Sequence, residues 1–248
     1  MREYMPANRY FSPQEYQEGN SIFLEDQEFH HLIHVMRQQT GEEVELVNGK
    51  GQLAQARIAK IEKKRAELKP FAIIEASHLE QPLILAQAIP RLNKLEFILE
   101  KGTELGMTQL WLFPSKQSEK GRFSDHQLQR LNTILIAAMK QCGRLFLPEI
   151  ISMPPLEQWQ KFCFPAFFGD TRTTAPSFET IWNGSSAQSG SIFCVGPESG
   201  FTVDEVALMQ QLGALGVKLN PHILRTETAA IAALSLIGQW QLDSIKGK

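Results

Sequence analysis

The stretch Ser191-Ile-Phe-Cys-Val-Gly-Pro-Glu-Ser-Gly-Phe-Thr202 decides the fold of the C-terminal part of the chain. Its apolar first half is typical of a buried strand, and its last residue, followed three positions later by Glu205, predicts a helix with a capping box. Ligands of α/β proteins bind beyond the carboxyl ends of strands, and glycines let the backbone approach them closely. The stretch therefore predicts a ligand crevice containing Glu198, although an ordinary strand–helix turn would use similar residues.

A second stretch, Leu219-Asn-Pro-His-Ile-Leu-Arg-Thr-Glu-Thr-Ala229, leads from a strand end into an apolar helix. A helix N-terminus favours an anion or a ligand carboxylate. Arg225 stands beside this terminus and is suited to binding a phosphate or a carboxylate. Because a plain solvated cap does not require that arginine, we predict that this stretch also lines the ligand site.

Outward from these stretches, the chain shows two patterns on either side of Pro82. Before it, short strand-like runs, one helix at 26–37 and the turn signal Asn48-Gly49 predict a small β-barrel. After it, strands alternate with helices, which predicts a mostly parallel sheet covered on both faces. Residues 175–190 are rich in Ser, Thr and Gly and predict a surface loop. The predicted strands are 21–25, 43–48, 53–61, 66–74, 83–89, 109–113, 165–169, 191–195 and 217–219, and the later helices are 92–105, 125–141, one that begins after Thr202, and 226–242.

Composition excludes several classes of protein. No run of about 18 apolar residues predicts a membrane span, and the first residues lack the apolar core of a signal peptide. Three cysteines among 248 residues argue against a disulfide framework and favour a reducing, cytoplasmic location. The glycine loops that bind NAD or ATP are missing from the sequence, which disfavours a dehydrogenase or another nucleotide-dependent enzyme.

Charge is unevenly distributed although the formal net charge is only −2. Between residues 48 and 70, seven basic side chains stand against two acidic ones, whereas after residue 144 acidic residues are in excess. Such clustering can hold phosphates, but it is also common on soluble surfaces. The clustering is compatible with an RNA-binding N-terminal part and does not by itself establish one.

Two polar segments of the basic part have more than one interpretation. Gln141 and Arg144, at the end of a helix, are placed to contact RNA or a partner subunit, while Cys142 lacks a neighbouring base and is better explained as buried than as a nucleophile. His30 and His34 have a spacing that suits a metal, but no HExxH arrangement follows. We predict no metal site and prefer a polar surface that faces RNA.

Motifs along nearly the whole chain form one pattern. In order, they are Arg9-Tyr10-Phe11, His31 with Val35-Met36-Arg37, Glu100-Lys-Gly-Thr-Glu-Leu-Gly106, Gln141-Cys-Gly-Arg144 and the two C-terminal stretches. The pattern resembles the RsmE family, the 16S ribosomal RNA uridine N3-methyltransferases of the SPOUT superfamily. Because five or more motifs match in the family's order, the resemblance is specific.

The resemblance implies a fold, a reaction and partners. It implies a PUA-like, RNA-binding β-barrel at residues 1–75 and an α/β SPOUT methyltransferase domain at 76–248, with a parallel sheet and a C-terminal trefoil knot. It implies S-adenosylmethionine as cofactor and a homodimer, and it adds to the expectation, drawn above from the residues, of a cytoplasmic protein with no metal and no membrane partner. The expected substrate is 16S ribosomal RNA or the assembled small subunit, with uridine 1498 as the target.

The resemblance and the two stretches together give the candidate site residues. The cofactor is expected to contact Phe168, Gly169, Val195, Gly196, Pro197, Glu198, Gly200, Leu219, Asn220, Pro221, Ile223, Leu224 and Thr228. RNA is expected to contact Arg9, His31, Arg37, Lys116, Arg122 and Arg144. The candidate catalytic residues are Glu198 and Glu227, either of which would accept the N3 proton, and Arg225, which would stabilise charge on the uracil oxygens.

Four positions depart from the family pattern: Lys140 replaces Glu, Ser199 and Asn220 replace Gly, and His222 replaces Arg. Ser199 and Asn220 still suit tight turns, whereas His222 removes a permanent charge. These departures leave open a non-catalytic RNA-binding relative of the same fold. A SPOUT enzyme that methylates another RNA also stays open, because motifs at the cofactor do not identify the RNA.

Overall fold

The computed structural model describes residues 8–76, 81–118, 123–182 and 190–246. The chain divides into two compact units, the first formed by residues 1–80 and 136–147 and the second by residues 81–135 and 148–248. Each unit has its own sheet and its own buried core. Within the described residues, no helix combines the length and the apolar character needed to cross a membrane.

The N-terminal unit is built on a five-stranded sheet with the order β1-β3-β4-β5-β2. β1 is parallel to β3, and the other neighbours are antiparallel. Register shifts within β4, after Gln55 and after Ile58, bend the sheet around a buried core that includes Tyr10, Leu46 and Leu68. The strands are β1 (Arg9–Phe11), β2 (Ile22–Glu25), β3 (Glu43–Val47), β4 (Gln52–Ile61) and β5 (Arg65–Glu75).

The short helix of this unit confirms the predicted helix and adds a detail. Helix α1 (Asp26–His30) continues as a single π-helical turn, His31–Val35, which ends where Arg37 adopts a φ of 55°. The predicted turn between β3 and β4 is also confirmed, because Gly49 and Gly51 have positive φ and Asn48 Oδ1 accepts the backbone N–H of Lys50. β1 was not predicted, since three residues are too short to show a period.

The C-terminal unit is built on a six-stranded, wholly parallel sheet with the order β11-β9-β10-β6-β7-β8. Its strands are β6 (Leu83–Ala88), β7 (Gln109–Phe113), β8 (Glu149–Ser152), β9 (Ala166–Gly169), β10 (Ser191–Val195) and β11 (Leu215–Val217). Its helices are α2 (Leu92–Glu104), α3 (Asp125–Cys142), α4 (Phe178–Ile181), α5 (Val203–Gln211) and α6 (Thr226–Lys246), with a 3₁₀ turn at Leu156–Gln158. The last residues of α3 cluster with the N-terminal unit.

Both faces of the parallel sheet are covered, as the sequence predicts. All residues of β6 and β10 are buried, which is why these strands are almost wholly apolar rather than alternating, with Gln87 and Ser191 as their polar residues. One face packs against a cluster that includes Trp159 and Met209, and α6 contacts β6, β10 and α2. The carboxyl ends of β9, β10 and β11 are therefore held side by side at one edge of the layer.

Three local predictions differ from the structure. β11 lies two residues earlier than predicted, and β8 was not predicted because its pattern is short. Residues 175–190 are not simply a surface loop, because α4 begins inside them and Phe178 is buried against Phe193 and Trp240. Trp182 also stacks on Trp240, so two aromatic residues override the polar composition of this segment; residues 183–189 lie outside the described part.

Candidate active site

A cavity of about 680 Å³ lies at the carboxyl ends of β9, β10 and β11. This volume falls in the range of sites for small molecules and cofactors. Two loops form much of its wall and are named here the first pocket loop, residues 196–201, and the second pocket loop, residues 218–225. The full lining consists of residues 168–173, 195–201, 203, 206, 217–224, 226 and 229.

The structure brings together nearly all the residues that the sequence predicts for the cofactor. Every one of them lines the cavity except Thr228, which lies exposed on the first turn of α6. At Gly169 an added Cβ would meet nothing within 4 Å, whereas at Gly196 it would approach Gly200 and Phe201 to 3.3 Å. The cavity is thus open above the end of β9 and tightly packed where the first pocket loop turns.

The first pocket loop is fixed by a buried hydrogen-bond network. The Thr226 hydroxyl donates to the carbonyl of Gly196 at 2.7 Å and accepts from the Gln87 side-chain amide at 3.0 Å. Gln87 is completely buried at the end of β6, and its amide also donates to the Ala88 carbonyl. A polar residue in a buried strand and the first residue of α6 therefore hold the loop in place.

The far end of this loop is fixed by the predicted capping box, which is confirmed. Thr202 Oγ accepts the backbone N–H of Glu205, and Glu205 accepts the backbone N–H of Thr202. Glu205 is buried and also accepts the Ser115 hydroxyl at 2.8 Å and the backbone N–H of Lys116 at 3.0 Å. Burial opposes its ionisation, but these hydrogen bonds outweigh burial and lower the pKa of Glu205.

The second pocket loop has a different character. Residues 220–223 are exposed, and the side chain of Ile223 is 83% exposed although it is apolar. Asn220 Oδ1 accepts the backbone N–H of His222 at 3.0 Å, which forms the tight turn expected for an asparagine at this position. This wall lines the cavity with four apolar residues and with the polar residues Lys218, Asn220 and His222.

The cavity also contains a charged pair that the sequence did not reveal. Asp170, directly after β9, accepts hydrogen bonds from the guanidinium of Arg172 at 2.6–3.0 Å. Gly216 makes room for this carboxylate, because a Cβ there would lie 2.7 Å from Asp170 Oδ2. Burial opposes ionisation of Asp170, but the contacts with Arg172 outweigh it and lower the pKa of the carboxyl. The only local signal was an acidic residue directly after an apolar strand.

The three candidate catalytic residues occupy different positions. Glu198 lines the cavity, whereas Glu227 and Arg225 do not. The two carboxylates are joined by Lys94, which the sequence did not single out: its Nζ lies 3.1 Å from Glu227 and 3.7 Å from Glu198. Burial opposes ionisation of Glu227, but a hydrogen bond from its own backbone N–H and the contact with Lys94 lower its pKa.

Among the candidate RNA contacts in the N-terminal unit, Arg9 is buried and pairs with Glu45 at 2.8 Å. Arg9 therefore stabilises the pairing of β1 with β3, and its side chain is not exposed where RNA would contact it. His31 is partly buried against the ring of Tyr10, with 5.6 Å between ring centroids, whereas Arg37 is exposed. Arg144 is partly buried.

Two further candidates belong to the segment after β7. Lys116 is exposed, and its Nζ lies 3.5 Å from Asp204 and 3.7 Å from Glu157. Arg122 lies outside the described residues. Lys140, which departs from the family pattern, pairs with Glu28 at 2.6 Å within the N-terminal unit. The positive charge that Lys140 brings in place of the family's glutamate is therefore paired with the carboxylate of Glu28.

Comparison with known families fits this geometry. Residues 77–238 match the RNA methyltransferase domain family, and residues 24–71 match the RNA methyltransferase PUA domain. The chain belongs to the RNA methyltransferase family. The ribosomal RNA small subunit methyltransferase E of Bacillus subtilis is 27% identical over 96% of this chain and 98% of that protein. The protein of the same name from Mycobacterium bovis is 28% identical, with 89% of this chain and 87% of that protein covered.

Solved structures of methyltransferases are also similar. Ribosomal RNA small subunit methyltransferase E from Neisseria gonorrhoeae, bound to S-adenosylmethionine, is 28% identical and superposes with a TM-score of 0.83, covering 95% of this chain and 98% of that one. A Legionella pneumophila methyltransferase in complex with the same cofactor is 26% identical, with a TM-score of 0.80 and coverage of 93% and 96%. The predicted resemblance and the α/β fold preceded by a PUA domain are confirmed; the trefoil knot stays a prediction.

Proposed function

We propose that this RNA methyltransferase transfers the methyl group of S-adenosylmethionine to N3 of a uridine in 16S ribosomal RNA, uridine 1498 by family resemblance. The observation that carries the proposal is that both predicted stretches meet around one cavity of cofactor size. The likeness to cofactor-bound methyltransferases over nearly the whole of both chains supports it further. We further propose that the chain works in the cytoplasm as a homodimer, with the loops of a trefoil knot around the cofactor.

The lining fits S-adenosylmethionine. Leu219, Pro221 and Ile223 line the cavity with apolar side chains that are not buried and would contact an adenine ring, and the open space at Gly169 admits a group next to the strand end. The backbone groups of both pocket loops offer donors and acceptors for a nucleoside. Asp170 and Arg172 add a negative and a positive group, which suits a ligand that carries charges of both signs.

The residues of the chain contribute proton transfer, orientation and charge stabilisation. The bound cofactor supplies a methyl group on an electrophilic sulfonium. Uridine N3 carries a proton at neutral pH and becomes a good nucleophile only when that proton leaves. Glu198 is the candidate carboxylate that lines the cavity, and we propose it as the proton acceptor. Arg225, exposed at the start of α6, would stabilise the negative charge that develops on the uracil oxygens.

Recognition of the RNA would use exposed cationic groups. Arg37 and Lys116 are exposed, and basic residues are concentrated between 48 and 70. Such groups contact phosphates and set the position of an RNA without determining its sequence. The uridine must leave its stack to enter a cavity of this kind. The proposal therefore separates a cationic surface that holds the RNA from a cavity that reacts with one base.

The test combines cofactor binding with identification of the product. Calorimetry with S-adenosylmethionine should give one binding event, and mass spectrometry of ribosomal RNA from cells lacking the gene should lack N3-methyluridine that the purified protein restores. Naked 16S RNA and assembled small subunits are offered separately. Binding without any methylation of either substrate would favour another RNA, and absence of cofactor binding would favour a non-catalytic relative.

Arg225→Ala examines the role of the arginine within this reaction. If Arg225 stabilises charge in the transition state, turnover should fall about 100-fold, in the range seen when one such donor is removed from an active site. Cofactor affinity should stay close to that of the unchanged protein because Arg225 does not line the cavity. Unchanged turnover would remove Arg225 from the mechanism.

A further inference from the structure

Two carboxylates, Glu198 and Glu227, come from separate segments of the C-terminal unit and share one ammonium group, that of Lys94. All three side chains are largely withdrawn from solvent, with exposed fractions of 18% for Lys94, 25% for Glu198 and 19% for Glu227. Like charges that approach one another in a partly buried place repel strongly unless a cation lies between them. Lys94 is in the position of that cation.

The backbone around Lys94 supports the same arrangement. Lys94 lies in the first turn of α2, and the backbone N–H of Arg91, at the N-cap of that helix, donates to Glu198 at 3.2 Å. The positive end of the helix dipole thus points at the carboxylate that lines the cavity. Glu227 lies in the first turn of α6, so that one lysine connects the starts of two helices with the first pocket loop.

We propose that Lys94 is a positioning residue for the reaction: it holds Glu198 at the wall of the cavity and uses Glu227 as its counter-charge. Neither Lys94 nor Glu227 lines the cavity, so they act through Glu198. Glu227, which lies outside the cavity lining, holds the ammonium group of Lys94, and Glu198, which lines the cavity, accepts the N3 proton. This inference rests on the proposed function, because it assigns a task to Glu198 in that reaction.

Lys94→Met tests the inference, because methionine keeps most of the length of the side chain and removes its charge. The kcat for RNA methylation should fall about 10- to 100-fold, while the KM for RNA and the Kd for S-adenosylmethionine change less than threefold. Lys94→Arg, which restores a cation, should recover most of the loss. A kcat for Lys94→Met within twofold of the unchanged protein would overturn the inference.

A second measurement does not depend on activity. The charged groups that face Glu227 are Lys94 from α2 and Arg225 from the preceding loop, with Glu198 sharing the lysine. Removing Lys94 should raise the pKa of Glu227, which carboxyl carbon NMR titration detects. An unchanged titration would refute the pairing, even if the protein had no activity on ribosomal RNA and the proposed function failed.

Two further variants complete the experiment, one as a control and one as a replacement for Lys94→Met. Arg130→Met removes an exposed cation of α3 that pairs at 2.7 Å with Glu96 of α2, the helix that also carries Lys94, and neither Arg130 nor Glu96 lines the cavity. It should leave both kcat and the Glu227 titration unchanged. If Lys94→Met does not fold, Lys94→Gln, which keeps a polar end group, is measured in both experiments with the same expected losses.

Discussion

The two pocket loops form one cavity but are stabilised in different ways. The first, residues 196–201, is held at one end by Thr226 and Gln87 and at the other by the capping box with Glu205. The second, residues 218–225, is exposed over residues 220–223 and is turned by the short-range contact of Asn220 with His222. We therefore expect one wall of the site to be fixed before a ligand arrives and the other to adapt to the ligand.

This difference matters for a methyl transfer. Alignment of the nucleophile with the methyl donor supplies a large part of the rate, so that the wall carrying Glu198 must be precise. The other wall mainly contributes apolar surface, which tolerates small displacements. Substitutions in the first loop should consequently affect turnover and stability, whereas those at the exposed residues 220–223 of the second should mainly affect affinity.

The largest effect is expected for Glu198→Gln. The substitution keeps the size of the side chain and removes its ability to accept a proton, so kcat should fall about 10²- to 10⁴-fold, with the Kd for S-adenosylmethionine nearly unchanged. Single-turnover methylation measures the rate, and calorimetry measures the affinity. Glu227→Gln is the comparison: a larger loss there than at Glu198 would reverse the assignment of the proton acceptor.

The next effect concerns the anchor of the first loop. Thr226→Val keeps the shape of the side chain but leaves the Gly196 carbonyl and the Gln87 amide without the hydroxyl, and should lower the free energy of unfolding by about 1–3 kcal/mol. Urea unfolding measures this change. Thr228→Val, at an exposed position on the same helical turn, should stay within about 0.5 kcal/mol of the unchanged protein. Equal effects at both positions would show that the buried network is unimportant.

The sequence predicts those features of the pocket loops that depend on residues close together in the chain. The apolar strand, the glycine turn and the pair of Thr202 with Glu205 lie within a few positions of one another, and they occur as predicted. Gln87 could not be assigned, because its partner Thr226 is 139 positions away in the sequence. Local periodicity contains no information about which distant segment will satisfy a buried amide.

The same limit explains the other omissions and one overinterpretation. Lys94 looks like an ordinary helix charge until the fold brings Glu198 and Glu227 to it. Asp170 pairs with Arg172 two positions later, but its place in the cavity follows only from the pairing of β9 with β11. Arg9 was predicted to contact RNA from its position in a motif, but its partner Glu45 on β3 draws it into the interior. A motif identifies a residue that matters without saying whether it acts on a ligand or on the fold.

A smaller, pH-dependent effect is expected from Glu205. Because its folded-state pKa is below the ordinary value of 4.5, the carboxylate stabilises the protein above that pH, and this contribution is lost as the pH falls through the lowered pKa. Glu205→Gln should therefore cost about 1.5 kcal/mol at pH 7 and progressively less as the solution is made more acidic than pH 4.5. Urea unfolding at a series of pH values measures the difference, and a gap that did not narrow in acid would contradict this explanation.

The smallest effect is expected in the second loop. Ile223 is 83% exposed, so Ile223→Ser should change the free energy of unfolding by less than about 0.5 kcal/mol. The same side chain lines the cavity and would bury part of its surface against a cofactor, so the Kd for S-adenosylmethionine should rise about fivefold, or about 1 kcal/mol. Calorimetry and urea unfolding on one preparation separate the two quantities. A loss of stability without a loss of affinity would mean that the second loop is as fixed as the first, and the contrast between the two walls would then disappear.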